Sequence, residues 1–260
     1  MAMIKTAQEI SILREGGALL SRALGAALDA VRSGVTMKEL DAIAEGVIRK
    51  GGGEPSFLGY TGAGDIPFPA TMCISRNAEV VHGPGNRNHV LEEGDIVGFD
   101  VGCWYEGLCT DMAYTVGVGD VSSTLRTLMN VTKASLQNGI RVMKAGAKLQ
   151  AISQAIEDTI RPHGLGIVTS YVGHGVGHQV HEAPQVPNFV SGQFPNPTLK
   201  VGMVLALEPM VTLGGGLVQT ADDGWSAVTV DGSPSAHYEQ TIAVTAEGYD
   251  ILTPFPGDRS

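Results

Sequence analysis

The sequence is short of the features that mark several large classes of protein. It has three cysteines, Cys73, Cys103 and Cys109, an odd number without C-x-x-C spacing. That argues against a disulfide scaffold and a structural zinc, and for reduced thiols. Basic residues are also scarce: 17 Lys and Arg stand against 27 Asp and Glu, for a formal net charge of −10, and no dense Lys/Arg run occurs. Such a balance does not suit a protein held to nucleic acid by phosphate contacts. No apolar run reaches the roughly 20 residues needed to cross a bilayer, and Met1-Ala2-Met3-Ile4-Lys5 lacks the apolar core of a signal peptide. The expectation is a cytoplasmic protein with no membrane contact. Low-complexity tails are absent too.

What is there suits one globular domain spanning residues 1–260, since 43% apolar and 17% charged residues over that length can bury a sizeable core. The chain reads as two related halves. Gly34-Val35-Thr36-Met37 opens a helical pattern that Gly146-Ala147-Lys148-Leu149 repeats at an offset of 112 (146 − 34 = 112). The preceding helices agree in the same register, Leu13-Arg14 with Leu125-Arg126. Further on, Leu91-x-x-Gly94 leads to Asp100 as Leu199-x-x-Gly202 leads to Glu208, an offset of 108 (208 − 100 = 108). Apolar spacing predicts helices over 7–32, 37–50, 121–144 and 148–163. It predicts strands near 71–75, 78–82, 96–103, 109–117, 167–173, 203–212, 216–220 and 238–245. Pairs of helices followed by runs of strands favour an α+β layout, with helices covering one face of an antiparallel sheet. The Gly/Pro-rich stretches 51–70 and 183–198 read as functional loops.

Four acids and a histidine stand out: Asp100 in I-V-G-F-D-V-G, Asp111 in C-T-D-M-A-Y-T, His174 in V-G-H-G-V-G, Glu208 in V-L-A-L-E-P-M and Glu239 in Y-E-Q-T-I-A-V. Each acid sits in or beside an apolar run, where an unpaired charge is costly. Taken singly, Asp111 and Glu239 also read as surface-strand acids, Asp100 as a turn cap and His174 as a loop histidine. Glu208 is harder to place at a surface, because Val204-Leu205-Ala206-Leu207 reads as a buried strand. Together, in duplicated frames, they point to divalent cations. Oxygen-rich ligation with one imidazole suits a pair of hard or borderline ions, and two bridging carboxylates would let five side chains hold both. The glycines beside His174 leave little bulk near such a site.

Asp100, Asp111, G-H-G-V-G at 173–177, L-E-P-M at 207–210 and Y-E-Q-T at 238–241 resemble the methionine aminopeptidases of the pita-bread metallopeptidase fold. The resemblance runs over nearly the whole chain. It implies that Asp100 chelates one of two divalent ions (Co, Mn, Fe or Zn), that His174 and Glu208 serve the other, and that Asp111 and Glu239 bridge them. It also implies that Glu208 shuttles a proton, that His82 lies near the scissile peptide, and that His181 polarises the substrate carbonyl. Tyr60, Cys73 and Trp225 become walls of a methionine pocket, joined in substrate binding by His82 and His181. The chain departs from the family in having Val180 where an aromatic usually precedes the second histidine, and in a longer 61–71 segment that carries Phe68. His178 is an extra, read as structural or surface-facing. His89, His163 and His237 are read as exposed or structural.

Nascent polypeptide N-termini are the implied partners of a monomer, with room for transient ribosome contact. Proline-specific peptidases of the same fold are the rival reading; they usually add an N-terminal domain, for which the residues before Asp100 leave no space. The spacing of 34 positions from His174 to Glu208 (208 − 174 = 34) excludes a long helical insertion there, which points to a type 1 enzyme. A non-catalytic binding protein on this fold would be expected to have lost ligands that this chain keeps.

Overall fold

Thr6 and Thr36 start the first two helices in the same way. Each hydroxyl accepts the backbone N–H of a glutamate three residues on, at 3.2 Å, and that glutamate's carboxylate accepts the threonine N–H in return. These capping boxes satisfy donors that the first helical turn leaves free. A computed structural model describes residues 4–62 and 66–257. Its first half contains α1 (Ala7–Asp29), α2 (Met37–Lys50), β1 (Glu54–Pro55), β2 (Met72–Arg76), β3 (Glu79–Val81), β4 (Ile96–Tyr105) and β5 (Leu108–Gly117). The second half begins with α3 (Ser123–Arg141), α4 (Gln150–Ile160), a 3₁₀ turn at Arg161–His163, β6 (Gly166–Ile167), β7 (Gly173–Gly175) and β8 (Glu182–Val186). It continues through β9 (Val204–Leu207), β10 (Met210–Thr212), β11 (Val218–Thr220), β12 (Ala227–Thr229), β13 (Ser235–His237), β14 (Glu239–Val244) and β15 (Tyr249–Ile251).

The main sheet is antiparallel and runs β1-β4-β5-β14-β9-β7-β8, with β2 added on β4 and β15 on β14. The halves meet at the β5–β14 pairing, and the strands outside it correspond: β4 with β9, β2 with β7. The repeat is legible in the hydrogen bonds themselves. Thr36 bridges Val90 and Lys148 bridges Thr198, which reproduces both offsets seen in the sequence (148 − 36 = 112, 198 − 90 = 108). Leu91 N–H donates to Val35 and Leu199 N–H to Ala147, each at 2.8 Å. The pita-bread layout of two related halves, expected from the sequence, is the observed one. No described helix is long and apolar enough to cross a membrane.

Strand periodicity sorts the sheet into two faces. Phe99, Val101 and Cys103 of β4, Met112 of β5, Leu205 and Leu207 of β9, and Ile242 and Val244 of β14 pack in one core with Leu20, Leu24, Leu40, Ile48, Leu136, Ile140, Ile152 and Ile156 of the helices. The alternate positions therefore face away from the helices, and Asp100, Asp111 and Glu239 are among them.

Several expected bounds shift. α1 ends at Asp29 and α3 at Arg141, and the helix expected to 163 closes in a 3₁₀ turn after Ile160 because Pro162 cannot extend it. The strand expected at 167–173 is replaced by the short strands β6 and β7 on either side of an irregular run. β8 occupies part of the expected 183–198 loop, and its Pro184 is tolerated because β8 is the last strand of its sheet. The most consequential change is that 203–212 is two strands in two different sheets. The ladder breaks at Glu208-Pro209, and β10 continues beside β13 and β6. Its partner breaks likewise at Tyr238, between β13 and β14.

Candidate metal centre and substrate cavity

Register alone brings the five sequence-selected side chains together. Asp100 pairs with Ala113 across β4–β5, and Glu239 pairs with the same Ala113 across β5–β14. Asp111 lies two residues from Ala113 on the same face. Leu207 pairs with Gln240 and Met210 with His237, so the continuing register sets Glu208 opposite Glu239. His174 arrives from β7, paired with Ala206, two residues before Glu208. Like charges placed opposite one another on a sheet repel, and here four carboxylates crowd one spot.

All four are buried or nearly so, and the oxygens Asp100 Oδ1, Asp111 Oδ1 and Glu239 Oε1 are buried without a hydrogen-bond partner. Burial pushes the Asp100 carboxyl up to about 6 and Glu208 up to about 8, and it drives Asp111 and Glu239 well above the usual carboxylate range, their acidic neighbours adding to the rise. Without a cation, burial favours the protonated form of each. Native proteins rarely leave buried oxygens orphaned, so this donor set fits divalent cations. One ligand atom each from Asp111, His174 and Glu239 falls within 4.8 Å of the others, as does one each from Glu208, His237 and Glu239.

The imidazole of His174 is prepared for such a role. Its Nδ1 lies 2.8 Å from the Gly175 carbonyl oxygen, which can only accept, so Nδ1 carries the proton and Nε2 keeps its lone pair. Burial lowers its pKa to about 3, and Nε2 lies 3.5 Å from Glu208 Oε1. The flanking glycines have a different use from the one expected. A Cβ on Gly173 would come within 2.5 Å of the Ala206 carbonyl oxygen, and one on Gly175 within 2.5 Å of that of Ala183. They let the neighbouring strands close on β7 rather than simply clearing space for an ion.

A cavity of about 540 Å³ opens from this cluster. Its lining includes all five residues, with His82, His181, Tyr60, Cys73 and Trp225. His82 adopts a left-handed backbone, φ 63°, at the end of β3, and its ring stands edge-on to Tyr171 with centroids 5.1 Å apart. Strain of this kind in a non-glycine residue collects at functional sites. Burial holds the His82 imidazole down to about 4, and it also lowers His181. The His181 ring packs 4.4 Å from that of His174, and its Nδ1 meets the Tyr60 hydroxyl at 2.8 Å. Cys73 pairs with Asp100 across β2–β4, and burial, with that acid beside it, keeps the thiol protonated. Phe68 reaches the cavity from the 61–71 segment, of which residues 63–65 lie outside the described residues. Its edge meets Trp225 at 5.1 Å and Phe57 at 6.5 Å. Val180 is buried in the same apolar cluster.

His178 stays outside the cavity, partly exposed, with Nε2 2.6 Å from Glu9. His237, read from sequence as exposed or structural without a place in the site, is buried at 3% exposure with Nε2 3.5 Å from Glu208 Oε2. The available signal was the period of two in H-Y-E, which puts His237 and Glu239 on one face. Phe57, Tyr171 and Gln185 also line the cavity; Phe57 and Tyr171 come from irregular segments, and Gln185 from β8, which falls in a stretch expected to be a loop.

Clustered acids and an imidazole beside an accessible cavity form the kind of centre found in metal-dependent hydrolases. Residues 11–246 match Metallopeptidase family M24, and the chain belongs to that family. Methionine aminopeptidase 1 of Bacillus subtilis is 44% identical over 256 residues, covering 97% of this chain and 99% of the relative. The methionine aminopeptidase of Borreliella burgdorferi is 45% identical over 242 residues, covering 93% and 94%. The crystal structure of methionine aminopeptidase from Thermotoga maritima matches with a TM-score of 0.92 and 39% identity over 97% of this chain and 99% of that one. The Xaa-Pro dipeptidase from Bacillus anthracis matches with a TM-score of 0.78 and 26% identity, over 99% of this chain but 63% of its own.

Proposed function

We propose that the chain is a methionine aminopeptidase that removes the N-terminal methionine from nascent polypeptides whose second residue is small. The observation that carries this reading is the placement of orphaned carboxylate oxygens at the floor of a cavity walled by Phe68, Cys73, Trp225 and Tyr60. A soft thioether packs well against aromatic rings and a thiol. Relatives named methionine aminopeptidase, similar along their whole length, support the same choice over the proline-directed one.

Two divalent ions would be held by Asp100, Asp111, His174, Glu208 and Glu239, with Asp111 and Glu239 shared; Mn, Fe, Co and Zn all suit the donors. When bound, such a pair supplies a water acidic enough to attack at neutral pH. Glu208 takes the proton of the attacking water and returns it to the leaving amine, as a carboxylate within reach of both can. Burial raises the Tyr60 phenol, so it keeps its proton and can donate to Nδ1 of His181, the tautomer this mechanism uses. The neutral His181 ring then carries its own proton on Nε2, available to the oxygen on which charge develops. His82 lies near the scissile peptide. The whole chain acts as one catalytic domain, a monomer working in the cytoplasm on emerging chains, with transient ribosome contact.

Peptide cleavage tests the assignment. The metal-titrated enzyme should release methionine from Met-Ala-Ser and leave proline-containing controls intact. Glu208→Gln should lower kcat about 10²–10⁴-fold. His181→Ala should lower it about 10²–10³-fold with metal content unchanged. Cleavage next to proline but not after methionine, or no cleavage with any divalent ion, would overturn the proposal.

A further inference from the structure

His237 is the one member of the cluster with no role in the mechanism above, and its surroundings are those of a working group. It ends β13, two residues before Glu239 on the same face, and its backbone is fixed at both ends. Its N–H donates to Thr115 Oγ1 at 2.9 Å, and its carbonyl accepts from the same hydroxyl at 2.7 Å. The side chain is therefore aimed by the sheet. It is buried at 3% exposure, and Nε2 has no hydrogen-bond partner. The nearest carboxylate oxygens are Glu208 Oε2 at 3.5 Å and Glu239 Oε2 at 3.9 Å.

Glu208 is thus bracketed by two imidazoles that address different oxygens, His174 toward Oε1 and His237 toward Oε2. The lone pair of His174 Nε2 is free and faces Oε1, so a cation held by both residues would take that pair of atoms. The other oxygen, Oε2, faces His237. A lone pair on His237 Nε2 would face two carboxylates and repel both, whereas an N–H there would be attracted to both. Buried donors are nearly always paired, and only a few tenths of an ångström separate this one from a made bond.

We propose that His237 is a positioning residue that donates Nε2–H to Glu208 Oε2, holding that carboxylate so that its Oε1 is presented toward the cation beside His174. The inference rests on the reading of Glu208 as ligand and proton carrier. Ligand carboxylates and imidazoles are commonly oriented by such outer hydrogen bonds, whose loss costs about 10–100-fold in metal affinity or activity. Gln240, the neighbour of Glu239 on its other side, points away from the site and donates to the Thr253 carbonyl, so it supplies no substitute.

Nitrogen-15 NMR of histidine-labelled, zinc-loaded enzyme tests this without relying on turnover, the His237 signal being identified by its loss in His237→Gln. The expected result is a protonated Nε2, with one-bond proton coupling, in protein that binds zinc and cleaves Met-Ala-Ser. A zinc-bound, unprotonated Nε2 would make His237 a ligand and overturn the proposal, as would protonation at Nδ1 alone. For the variants, His237→Leu should lower kcat or zinc affinity 10–100-fold with KM changed less than about threefold, and His237→Gln should recover most of the loss, since its amide can donate to the same oxygen. Equal loss in both variants would contradict a donor role. If instead the wild-type enzyme bound no metal or left Met-Ala-Ser intact, the parent assignment of function would fail, a result distinct from any of these.

Discussion

Asp41 shows how a buried carboxylate behaves when the chain itself satisfies it. From the buried face of α2 it accepts the Met72 N–H at 2.7 Å and the Thr71 N–H at 3.4 Å, which ties β2, and Cys73 with it, to the helix. Burial nonetheless lifts its pKa from 3.8 to about 6. The native state then holds a proton that the unfolded chain has already released, so this contribution to stability is present below about pH 4 and is lost as pH rises through about 6. Asp41→Asn should lose less stability between pH 4.5 and pH 7 than the wild type does, measured by denaturant melts on metal-loaded protein. Parallel pH profiles would show that Asp41 does not titrate in that range. At this scale the sequence spoke clearly where a charge interrupted an apolar run, as at Glu208 and Asp100. It was mute at His237, since a histidine in a strand carries no sign of which groups its ring will meet.

The turn between β7 and β8 is where an element depends on a distant one. Lys5 and Glu182 form an ion pair at 2.5 Å with side chains almost wholly buried. Glu182 also accepts the His178 and Gln179 N–H groups, at 2.6 and 3.1 Å. Lys5 is itself anchored by its N–H to the Gly202 carbonyl. The segment before α1 thereby pins the turn that buries Val180 and presents His181 to the cavity. Removing one partner strands a buried charge, at a cost of about 3–5 kcal/mol. Lys5→Met should destabilise by about that amount and lower kcat by displacing His181, and Lys5→Met with Glu182→Leu should regain most of the stability. A neutral effect of the single substitution, read from urea melts, would remove this coupling. The long helices and the β4–β5 hairpin were legible because their periodicity persists over many residues. The break at Glu208-Pro209 was not, because an apolar run on both sides of a proline reads as one strand until its partners are known. That break, matched by the one at Tyr238, is what sets Glu208, His237 and Glu239 into one notch.

The molecule as a whole is a duplicated helix-pair-and-sheet unit whose halves meet at β5 and β14, and the acids collect at that seam. The offsets of 112 and 108 were visible in the sequence and recur in paired hydrogen bonds, so the topology and the convergence of Asp100 with Glu208 were both readable. The cavity walls were read less completely, because Phe68 and Tyr171 come from irregular segments. Concentrating carboxylates at the seam has a cost for the metal-free protein. With Asp100 raised to about 6 and Glu208 to about 8 by burial, the native state binds more protons than the unfolded chain, so stability falls as pH rises from about 5 to 8. Bound cations displace those protons. Chelation should therefore lower Tm more at pH 8 than at pH 5.5, and a divalent ion should restore it. A chelator effect independent of pH would mean that these acids are not the cation's partners.

The five-ligand centre is the claim on which the rest depends, and anomalous diffraction from manganese-loaded crystals tests it most directly. Two peaks about 3.5–4 Å apart are expected, with Asp111 and Glu239 touching both, Asp100 touching one, and His174 and Glu208 the other. A single ion, or ions bound away from these residues, would contradict the account.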